Sequence, residues 1–277
     1  MQNKTIITCL TAIIVTFVVY RSVYAAETLP ARGICAHRGA NTLAPENTVP
    51  AFAEAVRLGA AMIEFDVRFT KDRQLVLLHD DTIGRTSNGS GKITELTFDE
   101  VRAFDFGFSK GEKYAGTQIP TLDEALDVLP RTLWLNVHCY APEGLEADLG
   151  RAVAEKLAAD SRENQAFIAC SQNMAEAIAE KYPQILICNM DRQSNGDDYI
   201  DSTIAQHCAF IQLTGGHPTP ERVARLKAAG VKINYFGSNS EAEIQALFDL
   251  GVDFPLVDNL LLGQKAFQEW NAAQKKE

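Results

Sequence analysis

The sequence predicts an α/β fold, a closed (β/α)8 barrel of the TIM type, and three observations carry that expectation. First, 277 residues with 46% hydrophobic and 22% charged side chains suit one large domain with a sizeable core, not a disordered chain. Second, short apolar runs alternate with amphipathic stretches all the way to the C-terminal end. Third, Gly230 and Gly251 each close a helical pattern just before an apolar run, the short αβ connection of barrel folds. An open doubly wound sheet has the same periodicity, so alternation alone leaves both arrangements standing.

The chain opens with Lys4, an apolar run from Ile6 to Val19, and a small-residue site at Val23-Tyr24-Ala25. That is the pattern of a secretory signal peptide over residues 1–25, and the run is short for an uncleaved anchor. The expected product is a single domain over residues 26–277, periplasmic or secreted, with no stable transmembrane segment. Strand-like runs follow at 33–37, 62–69, 74–79, 133–139, 166–170, 185–188, 210–213, 232–236 and 254–257. Helical patterns fall between most of them, at 48–58, 122–129, 145–158, 174–181, 221–229, 241–250 and 260–273. Residues 80–119 break the rhythm. They are rich in Gly, Ser, Thr and Phe, hold a capping-type Thr97-Phe98-Asp99-Glu100, and read as an insertion at the barrel mouth after the second strand region.

The formal charge of −10, without a local Lys/Arg run, excludes a nucleic-acid footprint. An anionic substrate would instead need local positive charge from Arg, Lys or a bound metal. Five cysteines follow the signal segment (Cys35, Cys139, Cys170, Cys188 and Cys208), with no C-x-x-C spacing. They are expected to be buried free thiols, with a disulfide between neighbouring strands as the alternative in an exported protein.

Active sites of (β/α)8 barrels lie at the C-terminal ends of the strands, and the polar residues gather there. His37 and Arg38 end the first apolar run and lead into Gly39. Glu64 and Asp66 alternate with apolar residues in Met62-Ile63-Glu64-Phe65-Asp66-Val67, so both carboxylates point to one face. Two such neighbours repel and raise each other's pKa, which favours a divalent cation between them. His79 ends another apolar run, so His37 and His79 form a candidate acid/base pair, with Arg38 as an anion clamp. In Pro45-Glu46-Asn47-Thr48, Asn47 or Thr48 can cap the first helix, and Glu46 can ligate a metal or orient a histidine.

Taken in order, His37-Arg38-Gly39, Pro45-Glu46-Asn47-Thr48, Glu64-Phe65-Asp66-Val67, Leu78-His79-Asp80 and Ile119-Pro120-Thr121-Leu122 resemble the motifs of the glycerophosphodiester phosphodiesterase family. The resemblance is dense from Ala36 to Leu126, and it implies a barrel of the phospholipase-C-like phosphodiesterase type. It further implies one divalent cation, often Ca²⁺ or Mg²⁺, and cleavage of a small glycerophosphodiester to glycerol phosphate and an alcohol. His37 and His79 would then be the acid/base histidines, Arg38 a phosphate contact, and Glu64 and Asp66 metal ligands.

The chain is a divergent member by this measure. Where the family carries a third acid and, two residues on, a lysine, Leu135-Asn136-Val137-His138-Cys139-Tyr140 places His138 and Tyr140. His138 is either a third ligand, shifting preference toward Mn²⁺, Zn²⁺ or Fe²⁺, or a structural or substrate contact. Tyr140 and Tyr235 are expected to touch substrate, Tyr235 or Phe236 supplying an aromatic wall. Asp258 retains the acid expected after the last strand. Gln212 and Ser171 are further rim candidates. Two other functions stay open: a lysophospholipase D-like or other diesterase with an altered substrate, and a non-catalytic barrel binding a phosphodiester or sugar.

Overall fold

The computed structural model describes residues 29–216 and 218–275; the expected signal segment lies outside them. The central element is a ring of eight parallel strands. In ring order these are β1 (Cys35–Ala36), β2 (Met62–Phe69), β4 (Trp134–Cys139), β5 (Ala166–Cys170), β6 (Leu186–Asn189), β7 (Phe210–Leu213), β8 (Lys232–Phe236) and β9 (Phe254–Val257). β1 pairs with β2 through Cys35↔Met62 and with β9 through Cys35↔Leu256, so the sheet closes on itself. Closure decides against the open doubly wound arrangement.

The strand expected at 74–79 is β3 (Leu75–Leu77), and it stands outside the ring, antiparallel to β2. The correction matters for the site. β2 leaves the mouth, turns, and β3 returns along it, with Leu78 N donating to Asp66 O at 3.0 Å. His79 therefore sits level with Asp66 because a hairpin folds back, not because it ends a barrel strand.

Helices α1 (Val49–Arg57), α3 (Leu122–Val128), α4 (Glu146–Ala159), α5 (Gln172–Ala179), α6 (Asp197–Ala205), α7 (Pro220–Ala228), α8 (Glu241–Leu250) and α9 (Leu260–Gln274) alternate with the ring strands. Their boundaries follow local chemistry. Reciprocal capping boxes start α3 at Thr121/Glu124 and α8 at Ser240/Glu243, and Gly251 ends α8 at φ 98°, a conformation costly for residues with a Cβ. Residues 80–119 add the short α2 (Phe98–Arg102) and three 3₁₀ turns. They pack Ile83, Ile93, Val101, Phe106 and Ile119 against Val76 and Leu78, a satellite core of their own.

Strand alternation divides the barrel interior into levels. Met62, Trp134, Phe167, Phe210 and Phe254 form an apolar floor, with the Phe167 and Phe210 rings stacked 3.8 Å apart. Each large side chain buried this way stabilises the fold by about 1.5–3 kcal/mol. Two residues further along the same faces come Glu64, Asn136 and Gln212, all buried, while buried Asn234 lies beside Phe254 and reaches Met62, and then comes the mouth. The intervening residues of β2, Ile63, Phe65, Val67 and Phe69, face the helices. Among the described residues Cys35, Cys139, Cys170, Cys188 and Cys208 are free, and Cys139 alone of them is only partly buried. Among the described residues, no helix is long and apolar enough to cross a membrane.

Candidate active site

The β2–β4 register sets Glu64 beside Asn136 and Asp66 beside His138. Both carboxylates are buried, and each has one oxygen satisfied by protein. Arg38 N donates to Glu64 Oε2 at 2.8 Å, and Asn47 Nδ2 donates to Asp66 Oδ2 at 2.7 Å. The other two oxygens, Glu64 Oε1 and Asp66 Oδ1, are buried with no hydrogen-bond partner. Burial first, and the charge of Asp66 second, push the Glu64 pKa well above the usual carboxylate range.

His138 Nδ1 lies 3.5 Å from Glu64 Oε1, while its Nε2 lies 3.3 Å from Gln212 Oε1, which also accepts from Asn136 Nδ2 at 3.2 Å. A carbonyl oxygen accepts, so the proton belongs on Nε2 and the Nδ1 lone pair faces Glu64. Burial lowers the His138 pKa to about 4, leaving the ring neutral at neutral pH. Glu64, Asp66 and His138 thus form one buried group, each offering a ligand atom within 4.8 Å of the others, and both carboxylates carry an unpartnered oxygen. A proton on Glu64 relieves the repulsion of these lone pairs in part, and a shared cation engages all three at once, so the donor set fits a divalent metal ion.

The loop from β1 into α1 is shaped to this purpose. Arg38 and Asn47 adopt left-handed conformations (φ 53° and 55°), a strain of about 1–3 kcal/mol for a residue such as Arg. Asn47 N donates to Arg38 O, and Asp66 N donates to Asn47 Oδ1, both at 3.1 Å. Gly39 (φ 78°) has no room for a Cβ, which would lie 2.8 Å from the Ala51 carbonyl carbon. Neither Asn47 nor Thr48 caps α1 through its side chain. The buried Asn47 amide orients Asp66 instead.

The two histidines are held alike. His37 Nδ1 meets Asp258 Oδ1 at 2.6 Å, and His79 Nδ1 meets Asp80 Oδ1 at 2.7 Å, so each ring keeps Nε2 free of its carboxylate. Hydrogen bonding to His37 holds the Asp258 pKa down at about 2. His37 Nε2 is 3.9 Å from Glu64 Oε2, and the Phe236 ring packs 4.9 Å from the His37 ring. Glu46 touches neither histidine. It accepts from Arg38 Nη1 at 2.8 Å and from both terminal nitrogens of Arg85. Arg38 Nε is buried, 3.4 Å from Asp66 Oδ2, and unsatisfied.

Tyr140 stands at the mouth, edge-on to His79 at 5.5 Å, with the Arg68 guanidinium 5.1 Å over its ring. Arg68 also donates to the main-chain oxygens of Leu78 and His79 and so fixes the returning hairpin. Tyr235 does not face the site. Alternation along β8 turns it toward the helices, where its hydroxyl donates to Gly216 O at 3.0 Å, and Phe236 lines the mouth in its place. Ser171 caps α5. Asn47, Arg68 and Arg85 were not legible as site residues, because nothing in the local sequence names their partners.

These groups surround a cavity of about 120 Å³ lined by His37, Arg38, Asp66, His79, His138 and Tyr140 among others. A larger hollow of about 540 Å³ lies on the barrel's outer flank, beside α5 and β6. Size does not identify the site: the one His/Cys/Asp/Glu group at metal-ligand spacing among the described residues is Glu64, Asp66 and His138.

The model of the glycerophosphoryl diester phosphodiesterase family matches residues 37–262, a span that includes every residue just described. The chain belongs to that family. It is therefore a phosphoric diester hydrolase by descent. It is 47% identical over 231 residues to a glycerophosphodiester phosphodiesterase of Caldanaerobacter subterraneus, covering 82% of this chain and 93% of that one. A match to the Bacillus subtilis protein YhdW is 41% identical over 125 residues, spanning 44% of this chain and about half (51%) of that protein. Among solved structures, an Oleispira antarctica phosphodiesterase in complex with sn-glycerol-3-phosphate superposes with a TM-score of 0.78 at 27% identity, covering 87% of this chain and 96% of the other.

Proposed function

We propose that the protein hydrolyses glycerophosphodiesters to glycerol phosphate and an alcohol, using a divalent cation held by Glu64, Asp66 and His138. The observation that carries this reading is the pairing of two similarly held imidazoles with a buried, unsatisfied donor set across one small cavity. A bound cation would supply Lewis acidity toward the phosphoryl oxygens and offset charge developing on them. Two carboxylates and a neutral imidazole suit Mn²⁺, Zn²⁺ or Fe²⁺ better than three carboxylates would, whereas Ca²⁺ prefers an all-oxygen set.

The remaining work falls to this chain's own groups. The Arg38 guanidinium, anchored through Nη1, faces the cavity and fits an anionic phosphate. One histidine Nε2 takes the proton of the attacking hydroxyl as the new P–O bond forms. The other gives a proton to the leaving alkoxide oxygen as the old P–O bond breaks. Asp258 and Asp80 fix the two tautomers and stabilise whichever ring is an imidazolium. Tyr140 and Phe236 wall the two rings. A site of about 120 Å³ supports a glycerophosphate-sized group as the portion recognised.

The test is turnover of glycerophosphocholine and of lysophosphatidylcholine by chelator-stripped protein, with Ca²⁺, Mg²⁺, Mn²⁺ and Zn²⁺ restored singly and products read by phosphorus NMR. Glycerol phosphate from the first substrate is expected, and its loss in His37→Ala. Turnover of the lysolipid alone would favour the lysophospholipase D-like reading, and none with any metal would leave a binding barrel. The apolar run at residues 6–19 supports export, which N-terminal sequencing of the mature protein would check.

A further inference from the structure

Arg85 lies in the segment that leaves the barrel after His79, and one guanidinium there grips two carboxylates. Nη1 and Nη2 donate to the two Glu46 oxygens at 2.7 and 2.8 Å, while Nε and Nη2 donate to the two Asp80 oxygens at 2.6 and 3.1 Å. Each carboxylate has a second task. Glu46 Oε1 also holds Arg38 Nη1 at 2.8 Å, and Asp80 Oδ1 also holds His79 Nδ1 at 2.7 Å. A continuous chain of charge-assisted bonds thus runs Arg38, Glu46, Arg85, Asp80, His79, joining the loop before α1 to the hairpin after β3.

We infer that Arg85 is a positioning residue that locks the phosphate-facing Arg38 and the acid/base His79 into one arrangement. The inference rests on the proposed hydrolytic reading. Its physical basis is geometric: a planar fork can meet two carboxylates side-on at once, and a lysine ammonium cannot. It is also a matter of charge balance. Without Arg85, Glu46 has only Arg38 to neutralise it and draws that guanidinium away from the cavity, while Asp80 is free to turn from His79. An ordinary surface salt bridge would add only about 0–1 kcal/mol of stability and nothing to turnover. The Arg85 side chain is 47% exposed, so its removal leaves no buried gap and the variant is expected to fold.

Arg85→Ala and Arg85→Lys should be compared with the metal-loaded wild-type chain on glycerophosphocholine. Arg85→Ala is expected to raise KM about fivefold and lower kcat about tenfold or more, with Tm nearly unchanged. Millimolar guanidinium ion should restore part of the loss, and Arg85→Lys should not. The His79 imidazole ¹⁵N shifts should move from an Nδ1–H tautomer in the wild type toward a mixture in Arg85→Ala. Kinetic constants within about twofold of wild type, or unchanged His79 shifts, would overturn the inference. A wild-type chain inactive on every diester would bring down the functional reading instead, and the ¹⁵N comparison would still decide the role of Arg85.

Discussion

Replacing Asn47 by glycine removes the side chain that orients Asp66 while keeping the left-handed φ of 55°, which glycine adopts at no steric cost. The wild-type amide makes two buried bonds to one residue, Nδ2 to Asp66 Oδ2 at 2.7 Å and Oδ1 from Asp66 N at 3.1 Å. Orphaning each partner costs about 1–3 kcal/mol, so Asn47→Gly should lose about 2–6 kcal/mol, the lower end if water enters the space. For a domain of this size that lowers Tm by roughly 5–20 °C. The functional cost is separate. An Asp66 free to turn presents its Oδ1 poorly, and loss of such a supporting hydrogen bond typically weakens metal binding by about 10–100-fold. Calorimetric titration of the stripped variant with Mn²⁺ or Zn²⁺, beside a thermal melt of the metal-free protein, reads both effects. A variant that melts lower yet binds metal with wild-type affinity would refute the orienting role. An unchanged melting temperature would refute the burial argument beneath it.

Restoring the family's acid, His138→Glu, should shift metal preference toward Ca²⁺ or Mg²⁺ and weaken Zn²⁺ binding, measured as the ratio of dissociation constants. Because His37 depresses the Asp258 pKa to about 2, this pair contributes stability that is present above the unfolded carboxylate value near 4 and is lost as pH falls toward 2. Melting temperatures of wild type and Asp258→Asn should therefore differ at pH 5 and converge near pH 2; parallel curves would contradict the pairing. Tyr235→Phe should cost about 1 kcal/mol through its bond to Gly216 and leave kcat/KM within about twofold, whereas Phe236→Ala should lower kcat by releasing the His37 ring.

Much of the barrel was legible because its period is a local property. Nine apolar runs and the glycines after helices gave nearly every strand and helix, and the alternation in Met62–Phe69 placed Glu64 and Asp66 on one face, as found. Ring closure was expected from the count of strands and the chain length, and is borne out; periodicity alone did not decide it, because it depends on β1 meeting β9 across more than 200 residues of chain. The direction of β3 was hidden for the same reason: an antiparallel return and a parallel strand read alike over three apolar residues. At the site, His37, Arg38, His79 and His138 line one cavity and Asp258 bonds His37, although His79 reaches it by a hairpin and not from the end of a barrel strand. Tyr235 was misassigned because β8 was counted without its inward face, which the interior positions of Asn234 and Phe236 now fix. The sequence leaves Asn47 or Thr48 as a helix cap, because Asn or Thr before a helix usually caps it. Only tertiary contact with Asp66, nineteen residues on, reveals the other use of Asn47. Arg85 was invisible for want of a named partner, its two carboxylates being thirty-nine and five residues away.

The most direct test is to grow crystals of chelator-stripped protein, soak them in Mn²⁺ or Zn²⁺, and collect anomalous diffraction at that metal's absorption edge. The expected result is a single strong anomalous peak bonded to Glu64 Oε1, Asp66 Oδ1 and His138 Nδ1, with the His138 Nε2 still directed at Gln212. An active, metal-loaded protein whose ion lies elsewhere, or whose His138 turns away from it, would contradict the assignment of these three atoms as the metal centre.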